Sequence, residues 1–202
     1  DNALKGFNLF RGWIMDSVYP ENVTKNYYTV MEVAGPTSTR TSDEIIEILD
    51  GIDDSIYKQT DAFWMDAGWY GANTKPTPDE FEGDWPEYTG DWRVSPLIHS
   101  NNLKDVSAAV HAAGKKFLLW FEPEHVKKNV PTAVEHPEYF LEIPGKGDLL
   151  LDLGNENAWN YCFDTLSSII EELEIDCYRQ DFNFAPLEYW RGNDSEERHG
   201  IS

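Results

Sequence analysis

The chain has 202 residues, with 16 Lys and Arg against 37 Asp and Glu, a formal net charge of −21. That balance argues against nucleic acid, whose phosphates reward clustered cations through counterion release, and against anionic membrane surfaces. With 41% hydrophobic and 14% aromatic residues the chain is no disordered acidic tail, yet its longest strongly apolar run, FLLWF at 117–121, is far short of the about 20 residues that a spanning helix needs. The partner expected from this composition is small, neutral and able to lie on aromatic rings.

Two cysteines, Cys162 and Cys177, are too few for a disulfide framework and do not fix a compartment. Residues Asp1 to Gly6 lack the charged-then-apolar pattern of a leader. Asn22-Val-Thr24 and Asn193-Asp-Ser195 fit the N-glycosylation pattern, which is common by chance.

In chain order, the apolar run 7–14 (FNLFRGWI) predicts a first strand. Thr41 and Ser42 then open a helix carrying Ile45, Ile46, Ile48, Leu49, Ile52 and Ile56 at 3.6-residue periodicity, with acids in its first turn. A second strand follows at 61–66 (DAFWMD). Residues 102–113 read as a helix closed by Gly114, and 116–121 (KFLLWF) as a third strand. The segment 131–140 is at most a short helix broken at Pro137. Residues 156–173 form the longest helical pattern, with Trp159, Phe163, Leu166, Ile169 and Ile170 on one stripe, and 175–181 (IDCYRQD) is a fourth strand. No closing helix is evident after it.

Alternating strands and helices imply parallel strands joined by right-handed crossovers. Both an open doubly wound sheet and a (β/α)8 barrel satisfy that statement, and the absence of a G-x-G-x-x-G fingerprint after the first strand disfavours dinucleotide binding. A complete barrel takes about 250 residues. The expectation is therefore an α/β chain of the (β/α)8 TIM-barrel type, with residues 1–202 a single partial domain of about four βα units and the C-terminal half of the barrel absent.

Barrel chemistry gathers at the C-terminal strand ends. The second strand ends in Asp66, the third runs into Glu122-Pro123-Glu124, and the fourth ends in Arg179-Gln180-Asp181-Phe182-Asn183. The plain alternative is that such acids solvate strand ends and cap the following helices. Trp64, Trp69, Tyr70, Trp85, Tyr88 and Trp92 fall close together in and after the second strand. Indole faces suit the C–H faces of sugars, although half of these rings are expected only to pack the loop. No metal is expected: His125 and Glu124 are adjacent and face opposite ways on a strand, and neither H-x-x-x-H nor C-x-x-C occurs. No serine sits at a G-x-S-x-G elbow, and no organic cofactor is implied.

Taken jointly, FWMDAGWYG (63–71), GDW (90–92), HAAGKKFLLWFEPE (111–124), HPEYFL (136–141), LLLDLGN (149–155) and YRQDFN (178–183) resemble the melibiase family of α-galactosidases, glycoside hydrolase family 36 and its clan. FRGWIMD at 10–16 is the weakest match to that pattern. The resemblance implies a (β/α)8 barrel and a retaining double displacement on terminal α-galactosides, with Asp181 where the family's nucleophile lies. Asp66 matches the first acid of its Asp-Asp-Gly-Trp motif, which holds ring hydroxyls, and is followed by Trp69. Trp92 matches a tryptophan walling the sugar subsite, and Lys146 stands where many members place an arginine. Arg179 and Asn183 stand where a Lys and an Asn flank the nucleophile.

Two departures leave the sugar open to an N-acetylated or other α-hexose: Ala67 replaces the second aspartate, and Arg179-Gln180 replaces Lys-Trp. The family's acid/base aspartate comes from a later strand, and Glu188, Asp194, Glu196 and Glu197 lack a strand-end context that would substitute. Residues 1–202 alone are thus expected to be inactive and stable mainly within a longer chain or an assembly; members often form homo-oligomers. The alternatives are a non-catalytic carbohydrate-binding module and an α-galactosyl transglycosidase.

Overall fold

In the computed structural model, residues 3–18, 28–35, 40–77 and 83–195 are described. Strands β1 (Val30–Ala34), β2 (Ala62–Met65), β3 (Lys116–Phe121) and β7 (Cys177–Gln180) form one all-parallel sheet in that order. Each neighbouring pair is separated in sequence by helical crossovers, the arrangement of successive units in a partial α/β barrel. Helices α2 (Ser42–Gly51) and α3 (Asp54–Gln59) join β1 to β2, α4 (Lys104–Ala112) leads into β3, and α6 (Glu156–Glu172) leads into β7.

The predicted first strand is overturned. Residues 7–14 lie largely in helix α1 (Ala3–Trp13), and the strand that begins the sheet is the more polar VMEVA at 30–34. In FNLFRGWI the rings of Phe7, Phe10 and Trp13 recur every third residue, which is helical spacing rather than the period of two that a half-buried strand shows. Phe10 and Trp13 stack at 6.0 Å along that helix. A second correction concerns the segment after β7, where a six-residue connection leads into helix α7 (Leu187–Asn193).

The helix predicted from Thr41 is divided. Thr41 forms a full capping box with Glu44, satisfying two backbone donors reciprocally. The helix then stops at Ile52, whose backbone is extended, and Asp53 caps a new helix by accepting from the Ser55 amide at 2.8 Å. Asn155 caps α6 through the amides of Asn157 and Ala158. None of these caps is a strand-end acid of the sheet.

Between β3 and α6 lies a small antiparallel sheet, ordered β4 (His125–Lys127), β6 (Asp148–Leu151), β5 (Phe140–Glu142), beside the short helix α5 (Pro131–Glu135). Its core of Val126, Val130, Phe140, Leu149 and Leu151 packs on Ala158 in the first turn of α6. The main core lies between the outer face of the parallel sheet and the helices. Ile45 and Leu49 of α2, Val106 and Val110 of α4 and Leu173 after α6 meet Phe63, Phe117, Leu119 and Phe121. Full burial of a side chain such as Phe117 or Leu119 contributes about 1.5–3 kcal/mol.

Candidate active site

Register decides which side chains share the inner face of the parallel sheet. Glu32 lies beside Trp64, Trp64 beside Leu118, and Trp120 beside Arg179. Alternation of side chains then puts Glu32, Trp64, Asp66, Trp120, Glu122, Arg179 and Asp181 on one face, opposite the helices. The rim is set by the same hydrogen bonds. The Asp66 amide donates to the Ala34 carbonyl at 2.8 Å, and the Asp181 amide donates to the Phe121 carbonyl at 2.8 Å. Each acid is thus the first residue past its strand, held to the end of the strand beside it.

The two acids also share a local geometry: Asp66 Oδ1 accepts from the Ala67 amide at 2.7 Å, and Asp181 Oδ1 from the Phe182 amide at 2.8 Å. Their electrostatics diverge. Asp181 Oδ2 accepts from the indole Nε1 of Trp120 at 3.1 Å and lies 3.3 Å from Arg179 Nη1. Those bonds, the indole first and the Phe182 amide next, hold the Asp181 carboxyl below its ordinary range, with smaller help from Asn183 and the Arg179 charge. The largest effect is that of the Trp120 indole, not of the Arg179 charge. Burial pushes Asp66 the other way, above the usual carboxylate range, against the opposing Ala67 amide and Arg179. Paired carboxyls driven apart in this manner suit different roles in one site.

Arg179 lies over the Trp64 ring, its guanidinium carbon 4.4 Å from the centroid. Such stacking fixes the cation between the two acids. Glu32 of β1 joins this group: burial raises its carboxyl first, and the charge of Asp66 adds to the effect. Sequence reasoning missed Glu32 because the first strand was placed too early, and missed Trp120 because it lies inside an apolar run.

The aromatic residues after β2 turn inward. Trp69, Tyr70 and Trp92 are buried with Trp120 and Phe121. Tyr70 stacks on Trp120 at 6.0 Å, Trp92 lies 6.4 Å from Trp120, and Trp69 Nε1 donates to the Trp120 carbonyl at 3.0 Å. These rings therefore clamp the tryptophan that holds Asp181. Trp69 is 1% exposed and Trp92 6%, so neither presents an open indole face. The loop returns through a tight contact: Gly71 has a φ of +87° and donates its amide to the carbonyls of Asp91 and Arg93.

Asn183 is exposed at the rim, beside Asp181. Lys146, in the turn before β6, pairs with Glu188 of α7 and lies 5.9 Å from the Tyr189 ring, a setting distinct from the Asp66–Arg179–Asp181 group. Asn193 uses its side-chain amide to hold the Glu142 and Tyr189 carbonyls. Asn22-Val-Thr24, Glu196 and Glu197 lie outside the described residues. Among the described residues no three His, Cys, Asp or Glu side chains converge where a metal ion would be held, and no helix is long and apolar enough to cross a membrane.

The family model for Melibiase matches residues 39–200. Alpha-galactosidase 1 of Pediococcus pentosaceus is 28% identical over 138 residues, covering 65% of this chain and 18% of that protein. Alpha-galactosidase Mel36A of Lactobacillus acidophilus is 30% identical over 127 residues, covering 60% and 16%. Among solved structures, a GH36 α-galactosidase AgaA from Geobacillus stearothermophilus in complex with 1-deoxygalactonojirimycin superposes with a TM-score of 0.69 at 22% identity, over 87% of this chain and 24% of that one. That likeness shows the fold. The chain spans only 14–18% of the length of the first three curated relatives it matches.

Proposed function

Because this chain belongs to the Melibiase family, we propose that it supplies part of the catalytic barrel of a retaining α-galactosidase in which Asp181 is the nucleophile. The observation that carries the reading is the setting of Asp181: a strand-end carboxylate with an indole N–H and a backbone amide on its two oxygens and a guanidinium alongside. A nucleophilic carboxylate must stay ionised, and these donors favour the charged form. The identities of the relatives, all named as α-galactosidases in the comparisons above, support the substrate class.

In the proposed reaction Asp181 attacks the anomeric carbon as the glycosidic C–O bond breaks. A second carboxyl protonates the departing oxygen, and then draws a proton from water as that water displaces Asp181 from the ester. In a retaining enzyme the two carboxyls stand about 5–5.5 Å apart. In the family pattern that acid/base group comes from a later strand, so residues 1–202 alone are not expected to turn substrate over. Asp66 accepts hydrogen bonds from ring hydroxyls. Arg179 and Asn183 donate to hydroxyls at the rim. Lys146 and Trp92 are assigned the roles that the family pattern implies, Lys146 toward the sugar and Trp92 backing the subsite wall.

The test is the anomeric form of the sugar first released from an aryl α-galactoside by the full-length protein, followed by proton NMR. Release of α-galactose is the expected result. First release of β-galactose overturns retention, and the absence of release overturns the galactosidase reading. Adding an acceptor sugar separates hydrolysis from transfer.

A further inference from the structure

The two oxygens of Glu122 reach in different directions. Oε1 accepts from the backbone amide of Asn183 at 2.5 Å, and Oε2 lies 3.3 Å from His125 Nδ1. The other ring nitrogen of His125, Nε2, is 3.2 Å from Asp148 Oδ1. The imidazole stacks on Phe184 with centroids 4.6 Å apart and planes 16° from parallel. One buried carboxylate, its side chain 4% exposed, thereby joins the end of β3 to the turn that carries Asp181, and one histidine ties that carboxylate to the small antiparallel sheet.

We propose that Glu122 and His125 form a positioning clamp for the 181–184 turn, and that the clamp holds while the imidazole carries its proton and loosens when it is lost. The inference rests on the reading of Asp181 as nucleophile. Asp181 Oδ1 is oriented by the Phe182 amide, so the backbone at 182–183 sets where the carboxylate points. Glu122 fixes the next amide along. A buried carboxylate requires compensating donors, and Glu122 has two: the Asn183 amide and, in the imidazolium state, His125 Nδ1–H.

The charged groups facing the imidazole are Glu122 after β3 and Asp148 on β6, with Lys127 of β4 sharing Asp148 at 2.6 Å. Burial disfavours the cation, yet the hydrogen bonds to Glu122 and Asp148 outweigh it and raise the pKa of His125 above the ordinary histidine value. The raised folded-state pKa sets the sign. The contribution of the clamp is fully present below the ordinary histidine pKa and is lost as pH rises through the higher value in the folded protein. His125 and Glu122 act through Asp181 and touch no substrate; they are positioning residues.

The experiment compares wild type, His125→Gln, His125→Lys and Glu122→Gln in the full-length protein. Two readouts are followed against pH: amide hydrogen exchange of the 182–184 peptide, and the rate of covalent labelling of Asp181 by 2-fluoro-α-galactosyl fluoride. In wild type, protection at 182–184 is expected to fall in a step as pH crosses the His125 pKa, beyond the uniform base-catalysed trend. His125→Gln should remove the step, leave exchange fast throughout, and slow labelling by about 10- to 100-fold with KM little changed. His125→Lys, with a cation that persists to higher pH, should restore protection on the alkaline side. Glu122→Gln should also remove the step, and serves if His125→Gln fails to fold. A step that survives in either Gln variant, or wild-type labelling in His125→Gln, overturns the clamp. Absence of labelling in wild type with the exchange step intact instead overturns the nucleophile reading.

Discussion

The indole N–H of Trp120 points at the same oxygen of Asp181 that faces Arg179, 3.1 Å away, across two adjacent parallel strands. The donor is uncharged and rigid, and its ring is held by Tyr70 and Trp92. It therefore stabilises the carboxylate without competing for a proton. A hydrogen bond to a charged group is worth about 1.5–3 kcal/mol.

Trp120→Phe keeps a ring in the cluster and removes this donor. The pKa of Asp181, held down chiefly by that bond, then rises. Since the ionised form is the reactive one, the acid limb of the kcat/KM profile moves to higher pH. The rate at its plateau falls by about tenfold or more. An unchanged acid limb in the pH–rate profile would show that the indole does not set the charge state.

Gly71→Ala is expected to destabilise the loop after β2. With φ at +87° a Cβ there would meet Tyr88 Cβ and Thr74 Oγ1, each at 2.5 Å. Left-handed backbone and overpacking each cost on the order of 1–3 kcal/mol. The loop carries Tyr70 and Trp92, so the loss should extend to activity. Thermal unfolding of the full-length variant checks the first, and kcat the second.

At the opposite end of the sheet, Asp176 Oδ2 accepts from the Phe117 amide at 2.9 Å and from His111 Nε2 at 2.8 Å. Burial opposes ionisation there, but the Phe117 amide, His111 and Lys116 overcome it and lower the Asp176 pKa. A lowered folded-state pKa contributes stability above the ordinary carboxylate value, lost as pH falls through the lower one. Asp176→Asn should cost about 1–3 kcal/mol at neutral pH. It should also flatten the acid dependence of Tm. Equal acid sensitivity in variant and wild type would contradict this.

How much was legible beforehand follows from the strength of local signals. Strands β2 and β3 are short buried runs bounded by polar residues, and α4 and α6 carry regular apolar stripes, so their positions read directly from the residues. Strand β1 did not, because VMEVA is half exposed and carries Glu32, whereas the apolar FNLFRGWI looked more like a strand and is helical. The strand-end acids were visible as residues, and parallel register brings Asp66 and Asp181 to equivalent places on the rim. Trp120 and Glu122 were hidden by their context: their roles depend on an amide and a carboxylate 61 residues away in sequence. The aromatic cluster was visible, but composition cannot tell a sugar platform from a brace for another side chain.

The most direct measurement is mass spectrometry of the full-length protein after incubation with 2-fluoro-α-galactosyl fluoride, followed by peptide mapping. A single adduct on the peptide containing Asp181, absent in Asp181→Asn, is the expected result. An adduct on another carboxylate, or none with any α-hexosyl fluoride, would contradict Asp181 as the nucleophile.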